Sequence, residues 1–221
     1  MSVYNEEKTL KEIILRVRNT GLVSQLICVN DASTDNSGKI LDNLTEENNL
    51  PLKVIHHKIN MGKGASIRSG LAEVTGDVVL IQDADLEYDP SQYKKLIAQF
   101  EDPKVIVVYG SRNIIKNPKS TNAFYWGGVF LSKLTNLLYG SNITDESTCY
   151  KVFRTNFLKE MNLTEDGFEF CPEVTAKILK RKIKIHEIPI TYSPRTHKEG
   201  KKIKWHHGLR AIWTLVKYRF S

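Results

Sequence analysis

An α/β domain with a mostly parallel sheet and helices on both faces follows from two features of the sequence. Short apolar runs of strand length alternate with stretches in helical periodicity. The unusual polar motifs fall just after the strand runs, where parallel sheets bind ligands. Glu6 to Arg18 predicts a helix, with Leu10, Ile13, Ile14 and Val17 at helical spacing. Leu26 to Val29 is a strand, followed by the polar stretch VNDASTDNS and a helix over 33–47. Lys53 to Ile55 is the next strand, and NMGKGAS leads into a helix from Lys63 to about Val74. Val78 to Gln82, a helix over 91–100 and a strand over 105–109 complete the regular half. Beyond it the spacing predicts helices over 122–139, 170–182 and 206–218, and a strand over 185–192 that Pro189 interrupts. A doubly wound domain opens on a strand, yet Met1 lies almost against the first helix. The first strand is therefore expected to be very short or truncated.

The chain has 221 residues, 41% of them hydrophobic, which suffices for one sizeable core. No apolar run reaches membrane-spanning length, and the polar, acidic start reads as no signal peptide. Cys28, Cys149 and Cys171 match no metal or disulfide spacing, so buried, reduced thiols of a cytoplasmic protein are expected. The net charge of +7 is unevenly spread: residues 177–221 hold 13 Lys/Arg against 2 Asp/Glu, a net of +11, which leaves −4 for residues 1–176. An acidic body with a basic tail suits anionic partners: phosphates, anionic lipid heads or nucleic acid. No nucleic-acid module accompanies that tail, so nucleic acid is not expected as a partner.

Three motifs carry chemistry. In LIQDADLEYDP an apolar strand ends at Asp83 and Asp85, two carboxylates that share a side of an extended chain. Their mutual repulsion is relieved by a hard divalent cation, Mg²⁺ or Mn²⁺, which commonly shares its shell with substrate phosphates. In VNDASTDNS, Asp31 ends a strand, and two readings stand equal: a carboxylate for a base or ribose, or turn and cap chemistry. In INMGKGAS, Gly62 and Gly64 permit close backbone approach and Lys63 sets a cation at a helix start, a place that favours phosphate. The loop fits neither the G-x-x-x-x-G-K-[ST] nor the G-x-G-x-x-G pattern, which argues against an ATPase and a dinucleotide dehydrogenase.

SVYNEE, VNDASTDNS, NMGKGAS, GDVVLIQDADLEYDP and YGSR, in this order, resemble the nucleotide-sugar domain of glycosyltransferase family 2. TDESTCYKVFR and PRTHKEGKKIKW are similar to later segments of its polyprenyl-phosphate branch, typified by dolichyl-phosphate mannose synthases. The resemblance implies an A-type glycosyltransferase fold, Rossmann-like, with residues 1–192 as a single catalytic domain and 193–221 as a basic loop and amphipathic helix. It implies inverting, metal-dependent transfer of a sugar from a UDP- or GDP-sugar to a polyprenyl phosphate. Carried over to this chain, Tyr4 and Glu6 would line the nucleobase pocket, Asp31 would bind base or ribose, and Lys63 would lie beside the nucleotide. Asp83 and Asp85 would hold the metal, and Arg112 and Arg195 would meet donor or acceptor phosphates. Ser2 stands where proline is usual and Glu87 where glutamine is frequent. The family's second phosphate-binding arginine has no clear match, and Lys116 or Lys119 would substitute as point charges.

A lipid phosphate is already an anion and needs no strong base, whereas a hydroxyl acceptor would need one, with Asp145 and Glu169 as candidates. Arg195, Lys198, Lys201, Lys202 and Lys204 make a cationic loop ahead of a helix with Leu209, Ile212, Trp213 and Val216 on one face. That face suits an anionic membrane surface, and equally packing onto the domain or into a homo-oligomer. The expected protein is thus cytoplasmic and peripheral to a membrane. The alternatives are a family 2 enzyme with a glycan or other hydroxyl acceptor, and an inactive domain that only binds nucleotide sugar.

Overall fold

The computed structural model describes residues 1–46, 51–119, 122–195, 202 and 204–221. Lys198 and Lys201 of the basic loop lie outside them. Seven strands and eight α-helices are formed among the described residues: β1 (Ser2–Val3), α1 (Leu10–Asn19), β2 (Leu26–Asn30), α2 (Ser37–Glu46), β3 (Leu52–His56), α3 (Lys63–Ala72), β4 (Val78–Leu80), α4 (Tyr93–Ile97), β5 (Val107–Ser111), α5 (Asn122–Tyr139), β6 (Lys151–Arg154), α6 (Thr155–Lys159), α7 (Phe170–Lys180), β7 (Ile185–Pro189) and α8 (Trp205–Phe220).

The strands pair as β1-β2-β3 and as β4-β6-β5-β7, and a parallel bridge between Ser2 and Asp83 joins the two sets. The resulting order is β3-β2-β1-β4-β6-β5-β7, in which β6 runs antiparallel to both neighbours and the other pairings are parallel. β1 is two residues long but sits inside the sheet, between β2 and β4, where the Met1 carbonyl accepts from Val29 and the Val3 carbonyl from Asp31. It therefore delivers Tyr4 and Glu6 to the same sheet edge as Asp31 and Asp83.

β2 and β5 are buried along their whole length, as interior strands covered on both faces must be. Leu10, Ile13, Ile14 and Val17 of α1 bury the predicted face, and α2 buries Leu41 and Leu44. Several expectations shift at the ends. α1 starts at Leu10, after a turn in which the Glu6 carbonyl accepts from Thr9 and Leu10. The helix expected over 91–100 is a short α4 between two 3₁₀ turns. The strand expected over 105–109 runs from Val107 to Ser111. β6 and α6 lie in a stretch where no element was expected.

α8 packs through Ala211, Thr214, Leu215 and Tyr218 against Ala176 of α7 and Leu131, Leu134, Leu138 and Tyr139 of α5. The small Ala211 and Thr214 allow the close approach. Of the stripe anticipated as the helix's apolar face, Leu209 is 58% and Trp213 67% exposed, while Ile212 and Val216 are half-buried. Among the described residues no helix is long and apolar enough to cross a membrane. Cys28 and Cys149 are buried, Cys171 is partly so, and all three are free thiols.

Candidate active site

The ends of β1, β2 and β4 meet along one edge, which assembles Tyr4, Glu6, Asp31, Asp83 and Asp85. The stretch after β1 is knitted to the one after β2: Asn5 donates its N–H to Ser33 Oγ at 3.0 Å, Glu6 to Ser37 Oγ at 2.9 Å and Glu7 to Asp35 Oδ2 at 3.0 Å. The hydroxyls and carboxylate of VNDASTDNS thus hold the Tyr4–Glu7 segment in place, besides Asp35 capping α2 through the Ser37 N–H.

Asp31 is 2% exposed, and both carboxylate oxygens are engaged. Oδ1 meets His57 Nδ1 at 2.8 Å and accepts from Met61 N–H at 2.8 Å, while Oδ2 accepts from Gly62 N–H at 2.7 Å. In this structure the side chain fixes the 60–62 loop. Two amides in the first turn of α3 are spent inside the protein, Gly64 N–H on the Gly167 carbonyl at 3.2 Å and Ala65 N–H on that of Asp166 at 3.0 Å. The glycines make room for that contact. A Cβ on Gly64 would lie 2.1 Å from the Glu165 carbonyl oxygen, and one on Gly62, at φ 95°, 2.5 Å from that of Asp166. What the loop offers the site is the Lys63 side chain, whose Nζ lies 2.5 Å from Asp83 Oδ1.

Asp85 faces Arg195, with Oδ2 to Nη2 at 2.6 Å, and its Oδ1 accepts the Glu87 N–H at 3.0 Å. The same guanidinium reaches Glu6 at 3.0 and 3.3 Å. Glu87 accepts the Arg195 N–H at 3.0 Å and the Tyr192 hydroxyl at 2.6 Å, which seats the 192–195 segment beside the aspartates. Lys202 Nζ donates to Glu6 Oε1 at 2.7 Å and to the Tyr4 carbonyl, and lies 5.6 Å from the Tyr4 ring centroid. Tyr4, Glu6, Lys63, Asp83, Asp85 and Arg195 are therefore brought together. Neither Tyr192 nor the pairing of Lys202 with Glu6 carried a sequence signal, since each depends on the chain returning from far away.

Burial and the neighbouring Asp83 charge push the Asp85 carboxyl up to about 7, against the pull of Arg195. At Asp83 burial is outweighed by Lys63, which holds the carboxyl below its ordinary range. Two neighbouring carboxylates, each now held by a cationic side chain, fit a divalent cation that takes the place of those cations. No third His, Cys, Asp or Glu converges with them into a ligand cluster among the described residues. Such a pair leaves most of a hard cation's shell to water and phosphate oxygens.

Arg112 lies elsewhere, at the end of β5. Its Nε and Nη2 grip the two oxygens of Asp145, each at 2.7 Å, and its guanidinium carbon is 5.1 Å from the Tyr192 ring centroid. Asp145 is 1% exposed and also accepts the Arg112 N–H at 2.9 Å, so it orients Arg112. Arg112, Lys116, Lys119, Phe124, Tyr125 and Tyr192 border a cavity of about 300 Å³ between β5 and α5. Glu169 precedes α7, 7% exposed and 3.5 Å from Arg210.

The sheet order, the single antiparallel strand and carboxylates at the strand ends define an A-type glycosyltransferase fold. Residues 1–161 match the family model Glycosyl transferase family 2, and the chain belongs to that family. It is 28% identical over 226 residues to the dolichol-phosphate mannosyltransferase of Pyrococcus furiosus, covering 97% of this chain and 62% of that protein. It is 26% identical over 204 residues to the undecaprenyl-phosphate 4-deoxy-4-formamido-L-arabinose transferase of Pseudomonas fluorescens, covering 90% and 58%. The chain thus spans about three-fifths of the length of these curated relatives. Among solved structures, the glucosyl-3-phosphoglycerate synthase of Mycobacterium tuberculosis in complex with UDP superposes with a TM-score of 0.75 at 16% identity, over 99% of this chain and 78% of that one. The mannosyl-3-phosphoglycerate synthase of Rubrobacter xylanophilus gives 0.75 at 16%, over 98% and 70%. These likenesses show the fold.

Proposed function

We propose that the chain transfers a sugar, with inversion, from a UDP- or GDP-sugar to a polyprenyl phosphate at the cytoplasmic face of a membrane, with Mg²⁺ or Mn²⁺ at Asp83 and Asp85. The observation that carries this reading is a pair of cationic groups, one at each end of the Tyr192–Arg195 segment. Lys63, Arg195 and Lys202 gather around the aspartates and Glu6, while Arg112, Lys116 and Lys119 border the separate cavity. The first suits a diphosphate and the second a phosphate acceptor. The curated relatives are named for transfer to undecaprenyl and dolichol phosphates.

In this mechanism Tyr4 and Glu6 line the base pocket, and Asp31 shapes it by fixing the 60–62 loop. A cation bound by Asp83 and Asp85 would neutralise charge growing on the diphosphate. Lys63 stands beside the same leaving group. An acceptor phosphate oxygen attacks the anomeric carbon from the opposite face while the bond to the diphosphate oxygen breaks. The acceptor is already an anion, so no general base is required. This agrees with Asp145 being wholly engaged by Arg112. Lys116 and Lys119 read the acceptor phosphate as point charges, and Arg195 moves from the carboxylates to phosphate as the site loads.

Approach to a membrane would use α5 and α8. Trp126, Phe130 and Leu137 of α5 and Trp205, Leu209 and Trp213 of α8 are exposed, with Lys133, Arg210 and Lys217 exposed among them. The test is transfer of labelled sugar from a panel of UDP- and GDP-sugars to dolichyl or undecaprenyl phosphate, with Mn²⁺ and with EDTA. Metal-dependent label in the lipid phase, lost in Asp85→Ala, is expected. Label appearing only in a water-soluble glycan would replace the acceptor, and no transfer with nucleotide sugar still bound would reduce the chain to a binding domain.

A further inference from the structure

The Glu165–Glu169 loop is held hard against the start of α3. Besides the two amide bonds from Gly64 and Ala65, Arg68 Nη1 donates to the Glu165 carbonyl at 2.7 Å and Nη2 pairs with Asp166. This fixes Phe168 beside Lys63, whose Nζ is 6.0 Å from the ring centroid and 2.5 Å from Asp83 Oδ1. The Phe168 ring meets His207 of α8 with centroids 4.9 Å apart and planes inclined by 58°. Both residues keep part of their surface exposed, so the rings form a wall and not a core contact. Glu169 adjoins them. Its carboxylate is largely withdrawn from water, and Arg210, 3.5 Å away, is mostly exposed. His207 Nδ1 accepts the Lys204 N–H at 2.9 Å, which places the ring proton on Nε2 as a donor.

An apolar ring, a desolvated carboxylate, an imidazole N–H and a guanidinium side by side are what a pyranose requires. The ring covers a C–H face, and the polar groups pair with hydroxyls. The position suits it as well, because a diphosphate at Asp83 and Lys63 carries its sugar one bond further on. We propose that Phe168, Glu169 and His207 form the subsite that holds the donor's hexopyranose, with Glu169 reading sugar hydroxyls and not acting as a base. The proposal rests on the donor-site reading of Asp83 and Asp85.

The experiment compares calorimetric affinities, in Mn²⁺, of UDP and GDP with those of UDP-glucose, UDP-N-acetylglucosamine, UDP-galactose and GDP-mannose. Wild type, Phe168→Ala, Phe168→Tyr and Glu169→Gln are used, each checked for native circular dichroism. Phe168→Ala and Glu169→Gln are expected to weaken the tightest-bound nucleotide sugar about 10-fold, leaving the free nucleotide within about 2-fold. Phe168→Tyr, which keeps a ring, is expected to retain wild-type affinity. Equal losses for nucleotide and nucleotide sugar, or none for either, overturn the subsite while leaving the donor reading intact. Failure of wild type to bind any nucleotide overturns both.

Discussion

Glu173 shows how one side chain holds the region behind the site together. It is fully buried in α7 and accepts the N–H groups of Thr164 at 2.8 Å and Glu165 at 2.9 Å, the Tyr218 hydroxyl at 2.9 Å and Lys177 at 2.7 Å. Burial alone would raise its carboxyl, but these donors outweigh burial and hold it below the ordinary value. A carboxyl with a lowered folded-state value contributes stability that is present above the unfolded value and is lost as pH falls through the folded one. Glu173→Gln should therefore cost about 2–3 kcal/mol at pH 7, and the gap to wild type should narrow below about pH 4. Urea unfolding at several pH values measures it, and a gap constant with pH would refute the assignment. At this scale the sequence was readable where chemistry is local. Asp83 and Asp85 stand out as carboxylates closing an apolar run. The tasks of Gly62 and Gly64 were not readable, because the backbone they accommodate, at 165–167, arrives from a hundred residues away.

Among the elements, the parallel strands and long helices were legible because each buries a periodic face. β6 was not: Lys151–Arg154 is four residues long, begins with a buried lysine, and exists only through pairing with β4 and β5. The apolar stripe of α8 was legible, but its orientation was not, since α7 and α5 select the face bearing Ala211 and Leu215. The Tyr192–Arg195 segment has the clearest consequence. Glu87 seats its backbone while Arg195 neutralises Asp85 and Glu6. A metal at Asp85 must compete with that guanidinium. Arg195→Ala should bind Mn²⁺ several-fold more tightly than wild type without nucleotide, yet transfer sugar more slowly. Calorimetric titration with Mn²⁺ reads the first effect, and unchanged or weaker binding would show that Arg195 does not guard the aspartates.

Across the whole molecule, charge is sorted by use. The acidic body brings carboxylates to the sheet edge, and the basic C-terminal stretch returns Arg195 and Lys202 to them, so part of the +11 in residues 177–221 faces the site. The sequence counted those cations but gave no direction to them. Among these groups, Asp83 and Asp85 are proposed to hold a divalent metal against a nucleoside diphosphate. Electron paramagnetic resonance of Mn²⁺ titrated with protein, with and without UDP or GDP, tests it most directly. Weak Mn²⁺ binding alone, tighter binding with the nucleotide, and loss of that gain in Asp85→Ala are expected. Mn²⁺ binding that is indifferent to nucleotide, or unchanged in Asp85→Ala, would contradict it.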